Sequence, residues 1–344
     1  MMVRSMKREY LGGAAAIAVV FIAGVGLFLS GLRPVSAAAN APRVVFEVSK
    51  GEGFRTVADA LAGAGLIRSS LVFDAVALLD GRAGGLKAGS YRLSPSMSPA
   101  AIIGVLSSGA AAEATVTIPE GADIFVIDRI LSAALIAPPG KFAHYALSEN
   151  LEGHLFPDTY QFSIGEDPAD IAAAMTKDFD AKAAPLLAAD PASAARAVVI
   201  ASILEKEVQS QTDQEIVAGI ILRRLAIGMP LDIDATICYA KSLGGFLAGA
   251  PSSTDAASVM APSGGACMLS PVDFTIKSPY NTYLYKGLPP GPIGNPGISA
   301  ITAALHPQAS SYLYYLTDPK TGKTIFAKTL DEQNQNRVKY LESN

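Results

Sequence analysis

The 344-residue sequence offers little for metal or redox chemistry, with two cysteines and three histidines in the whole chain. His144, His154 and His306 are scattered and have no zinc-ligand spacing, so neither a metal site nor a cofactor is expected. Cys238 and Cys267 leave room for a single bridge and no more. Basic runs are also missing. The formal charge of −4 becomes −6 once the N-terminal Arg4, Lys7, Arg8 and Glu9 are set aside, a balance that argues against a nucleic-acid partner. No internal repeat is present. Apolar residues are not scarce: they make up 50% of the chain, enough to bury a core without staples.

The longest uncharged stretch is LGGAAAIAVVFIAGVGLFLSGL, Leu11–Leu32, which has the length a helix needs to cross a bilayer and follows a positive flank. It reads as a retained single transmembrane anchor, with residues 1–10 cytoplasmic and everything after a 33–43 linker exported. A signal peptide cleaved near Val35-Ser36-Ala37 is the competing reading, and the run is longer than the usual apolar core of such a peptide.

From Val44 the hydropathy pattern runs strand, helix, helix, strand: VVFEV, then GFRTVADALAGAG and SSLVFDAVALLDG, then LKAGSYRLS. This order within residues 44–110 resembles the LysM-like module that grips N-acetylglucosamine. Residues 111–150 form a connecting segment with a strand, the PEG turn at Pro119–Gly121 and two helices. From Leu151 to Asn344 the pattern predicts an α+β catalytic domain, with helices near 168–188, 191–209 and 212–227. LDIDATICYA is read as a turn into a strand, and two further strands and a last helix from Leu330 follow.

Two segments carry chemistry. In the helix ARAVVIASILEKEV, Glu205 lies four residues after Ala201 and seven after Val198, on the edge of the apolar stripe, while Glu207 turns away from it. Partial burial there would push a carboxyl toward the proton affinity a general acid needs. The second segment, SPYNTYLYKGLPPGPIGNPG from Ser278, holds five prolines, four glycines and three tyrosines. It predicts a short strand or extended arm of tyrosines running into a stiff binding loop.

LEGHLFPDTYQF, ASILEKEV, RRLAIGMPLDIDAT, the Pro/Gly segment and the YLYYLTD…FAKT ending occur in that order, and together they resemble the YceG-like endolytic murein transglycosylase family over Leu151–Val338. The resemblance implies a membrane-anchored bacterial enzyme of the inner (plasma) membrane, with a periplasmic catalytic domain that cuts nascent peptidoglycan strands and works beside cell-wall synthases (penicillin-binding proteins). It makes Glu205 the catalytic acid/base. By motif membership, Asn281, Tyr283 and Tyr285 would form one wall of the glycan cleft, Glu152, Asp158 and Tyr160 the other, with Thr236 near the site.

A transglycosylase can work with one carboxyl, because the substrate's own C6 hydroxyl replaces water as nucleophile. Two alternatives stand beside this reading: a scaffold that binds glycan without cutting, and a hydrolase using Glu207, Glu152 or Asp158 as second carboxylate. The sequence departs from the family pattern in LDID, in RRL, in the EQN of the last helix and in Lys277 before SPYNTY, and none of these touches Glu205.

Overall fold

The structure is a computed structural model and describes residues 21–38, 41–82, 84–109, 112–188, 190–249 and 267–342. The chain divides into two compact units. One runs up to Glu113 and takes in Ser163–Gly165, and the other comprises Ala114–Phe162 and the chain from Glu166 onward.

In the first unit, β1 (Val44–Val48) pairs antiparallel with β2 (Gly89–Leu93), with Val44 opposite Leu93 and Val48 opposite Gly89. Between them lie α1 (Phe54–Gly63) and α2 (Ser70–Leu79), and α3 (Pro99–Ser108) follows. Ser69 caps α2 and Ser98 caps α3, each through its hydroxyl, and proline occupies the start of α3 where its missing N–H costs nothing. Phe73, Leu61, Tyr91, Leu93 and Ile102 are fully buried and close the core.

The first half of the expected anchor lies outside the described residues. Residues 21–31 are helical, with Phe28 and Leu32 packed on the core of the first unit. Among the described residues no helix is long and apolar enough to cross a membrane. Arg68 donates to the carbonyl oxygens of Pro34 and Val35, so the following linker is tied to this unit.

The second unit begins within β3 (Glu113–Thr117), which neighbours β4 (Thr159–Ser163) in a two-stranded sheet. Its helices are α4 (Ile124–Ala133), α5 (Lys141–Ser148), α6 (Pro168–Lys182), the short α7 (Ala184–Leu187), α8 (Ala194–Glu207), α9 (Gln211–Ala226), α10 (Asp234–Leu247), α11 (Ile298–Leu305) and α12 (Leu330–Arg337). The hairpin β5 (Tyr314–Thr317) and β6 (Thr324–Ala327) precedes α12. Helix α8 is the centre of this unit, packed against α9 and α11. Every residue from Ala197 to Leu204 is buried, so the apolar stripe expected on one face is in fact a helix buried all round until its last turn.

Two local expectations fail. DATICYAKSLGGFL is helix α10 rather than a strand. The segment holds β-branched Thr236 and Ile237, but Thr236 donates its hydroxyl back to the Ile233 carbonyl and both side chains are buried, so packing overrides propensity. The tyrosine arm at 280–285 is likewise no strand. It is a succession of turns, because Asn281 folds it back on itself. Cys238 and Cys267 are joined as a disulfide, with Cα atoms 5.9 Å apart.

Candidate active site

The Pro/Gly loop wraps the C-terminal end of α8. Ile293 donates its N–H to the Ser202 hydroxyl at 3.0 Å, fixing the loop to the helix one turn before Glu205. Two residues on, Asn295 is fully buried, and its amide oxygen accepts from the N–H groups of Gly153 and Leu155, both at 2.8 Å. Its amide nitrogen donates to the Ala122 carbonyl and to Glu152 Oε1, both at 2.9 Å. Its backbone exchanges further bonds with Gly121 and Ala122. One side chain therefore ties together the PEG turn, the LEGHLF segment and the loop itself.

Close approach explains the glycines here. A Cβ at Gly294 would lie 2.5 Å from the Gly121 carbonyl oxygen, and one at Gly153, where φ is +87°, would strike Pro292. This packing delivers the N–H of Gly297, at the mouth of α11, to Glu205 Oε1 at 2.9 Å. Glu205 is half-buried. Desolvation pushes its carboxyl up to about 7, the Glu120 carboxylate adds to the rise, and the Gly297 N–H and Lys206 oppose it. An acid that titrates near neutrality, held in place and open to solvent, can both give and take a proton in one cycle.

Three other acids of this unit have different environments. Glu152 is buried, accepts from the Ile124 N–H at 3.2 Å, and is pushed well above the carboxylate range by burial and by nearby Asp123. Asp123 caps α4 through the N–H groups of Phe125 and Val126 and lies 3.6 Å from Lys206 Nζ. Glu207 accepts from the Tyr315 hydroxyl at 2.9 Å, and burial raises it to about 7.

The remaining sequence candidates are placed as follows. Thr236 is fully buried and shares its hydroxyl with Ile233 and Thr282. Asn281 is also fully buried; it donates to the carbonyls of Phe274 and Ile276 and accepts from the Tyr283 N–H, so its amide is spent within the loop. Tyr160 is buried, donates to the Phe156 carbonyl at 2.7 Å and stacks on Phe162. Asp158 pairs with Lys182. Tyr283 donates to Asp234 at 2.6 Å and keeps 36% of its surface exposed, and Tyr285 keeps 48%. The structure thus links Glu152 to Glu205 through Asn295 and the backbone of the loop, whereas Thr236 and Asn281 brace the loop and Asp158 and Tyr160 sit in local contacts of their own. Sequence reasoning passed over Asn295 and Glu120, although the NPG and PEG turns that hold them were visible as turn signals.

The raised carboxyls have a consequence for stability. A carboxyl that holds its proton more tightly when folded contributes stability below its unfolded titration range, and that contribution is lost as pH rises through the folded value. Glu205 and Glu207, both raised to about 7, and Glu152, raised further, act in the same direction. Asp158, Asp190, Asp273 and Asp318 are lowered and stay ionised throughout this window. The melting temperature is therefore expected to be highest near pH 5 and to fall toward pH 8. Thermal melts across that range check it, and a rising melting temperature would contradict the assignment.

The YceG-like family model matches residues 46–339. A Bacillus subtilis protein named endolytic murein transglycosylase is 30% identical over 92% of this chain and 91% of its own length. A Streptococcus pneumoniae protein of the same name is 26% identical over 93% of this chain, which spans only 62% of that longer relative. Among solved structures, a putative YceG-like protein from Listeria monocytogenes shares 29% identity, covers 86% of this chain and 99% of its own, and superposes with a TM-score of 0.51. With most of its length matched by the family model, this chain belongs to the YceG-like family.

Proposed function

We propose that the chain is an endolytic murein transglycosylase with Glu205 as its single acid/base. The observation that carries this reading is the state of Glu205: a half-buried carboxyl raised to about 7 and fixed by the Gly297 N–H, within the stretch that the family model matches. Protonated Glu205 gives its proton to the glycosidic oxygen between N-acetylmuramic acid and N-acetylglucosamine as the C1–O bond breaks. The resulting carboxylate then takes the proton of the muramic acid C6 hydroxyl, whose oxygen closes on C1. The product ends in 1,6-anhydro-muramic acid, and Glu205 recovers its proton. Because the nucleophile is tethered to the reacting sugar, proximity can contribute up to about 7–11 kcal/mol to the barrier reduction.

The other acids considered for a hydrolytic second role are engaged elsewhere: Glu152 with Asn295 and Ile124, Asp158 with Lys182, Glu207 with Tyr315. That supports the one-acid chemistry. Exposed Tyr283 and Tyr285 offer ring faces to a sugar, with Leu284 exposed between them. Within the same proposal, Leu11–Leu32 anchors the chain in the bacterial plasma membrane, the first unit is a LysM-like glycan-gripping module in the periplasm, and cutting takes place beside the synthases that extend the strand.

The test is the size of the earliest products from uncrosslinked glycan strands. Internal cutting gives long fragments that shorten progressively. Release of disaccharides from strand ends alone would contradict the endolytic reading, and retention of intact strands would leave a glycan-binding scaffold.

A further inference from the structure

The turn Pro119-Glu120-Gly121 brings a second carboxyl to Glu205. At Gly121, with φ of +75°, an added Cβ would lie 3.0 Å from the Cβ of Glu205, so the turn passes directly over the acid. Its backbone is held there by the Gly121 N–H donating to the Asn295 carbonyl at 2.8 Å. The neighbouring residue, Glu120, points its exposed side chain at Gly297: a Cβ built on that glycine would lie 1.9 Å from Glu120 Oε1 and 2.4 Å from its Cδ. Gly297 has φ of −82°, which any residue adopts, so the backbone does not require glycine there, and the end of the Glu120 side chain occupies the space that a side chain would take. The same Gly297 gives its N–H to Glu205 Oε1. One backbone unit therefore has the catalytic carboxyl on its nitrogen and the Glu120 carboxyl in the place of its missing side chain.

We infer that Glu120 is a positioning residue of the transglycosylation centre: its carboxylate, seated in the space left by glycine at 297, keeps the neighbouring Glu205 supplied with its proton. The inference rests on the reading of Glu205 as the acid. The charged groups acting on Glu205 are Glu120 from the turn and Lys206 from its own helix, and Lys206 is drawn toward Asp123 at 3.6 Å. Asp123 in turn lies beside buried Glu152, and α11 contributes no titratable side chain. Glu120 is thus the negative group that offsets the lysine. Each time Glu205 has given up its proton, the adjacent charge favours its recapture from the C6 hydroxyl.

The experiment is the pH profile of strand cleavage by Glu120→Gln. Removing the charge makes Glu205 easier to ionise, so the limb on which activity falls with rising pH should move to lower pH. Activity at the acid end should stay near that of the unaltered protein. Gly297→Ala, which keeps the N–H donor but puts a methyl where the Glu120 carboxyl sits, should move the same limb in the same direction. Because Glu120 is exposed, the glutamine variant should fold, and a melt checks that. A uniform loss at all pH values, or an unmoved limb in both variants, would overturn the inference. If the limb is unmoved while Glu205→Gln is inactive, Glu120 has no such role and the acid assignment stands. An active Glu205→Gln would remove both.

Discussion

Glu205→Gln is expected to lower the rate of strand cleavage by about 100- to 10,000-fold, the range that a positioned acid/base contributes. The amide keeps the size of the side chain and can still accept from the Gly297 N–H, so the loop should hold and glycan binding should survive. What is lost is the exchangeable proton, and with it both steps: protonation of the leaving oxygen and deprotonation of the C6 hydroxyl. Rates measured on defined strands, with binding measured in parallel, separate these effects. A variant that retained more than a tenth of the activity would remove Glu205 from the reaction.

Asn295→Ala should produce the second large effect, this time on the fold. The change leaves the buried N–H groups of Gly153 and Leu155 without their partner and takes a donor from one oxygen of Glu152, while the Ala122 carbonyl keeps the backbone N–H of residue 295. At roughly 1–3 kcal/mol for each unsatisfied buried group, a loss on the order of 3–5 kcal/mol is expected after relaxation and entry of water. For a unit of this size that is a drop in melting temperature of about 10 °C. Activity should fall as well at temperatures where the protein remains folded, because Gly297 loses the support that aims its N–H at Glu205. A melting temperature within a degree or two of the unaltered protein would mean that the PEG turn and the LEGHLF segment are held by something other than this amide.

The two residues also show how far the sequence could be read. The placement of Glu205 at the end of a packed helix was legible because its signal is local: an acid placed by helical spacing among Val198, Ala201 and Leu204. The helices of both units were legible for the same reason, through periodicity and through caps such as Ser69, Ser98 and Asp123. Asn295 and Glu120 were not. Their importance depends on three segments far apart in the chain meeting at Gly121, Gly153 and Gly297, and nothing in the spacing of a turn announces which backbone it will touch. Asn281 shows the opposite error. A polar residue among tyrosines looked available for a sugar, yet folding the loop without strand partners consumes its amide on the Phe274 and Ile276 carbonyls. Helix α10 was misread because β-branched residues mark burial as readily as they mark strands.

The arrangement also explains why a proline-rich loop suits this position. Proline fixes the path with few donors to satisfy, and glycine lets the path run in contact with α8 and the PEG turn. Under the proposed mechanism rigidity is useful, because Glu205 would meet two oxygens of the same sugar chain in succession without being realigned between steps.

The central claim is that strands are cut without water as a reactant, and digestion in water enriched in oxygen-18 tests it most directly. Mass spectra of the new muramic acid ends should show no heavy oxygen and a mass one water below that of a hydrolysed end. Incorporation of one heavy oxygen at each cut would contradict the account, establishing a hydrolase in which a second carboxylate activates water.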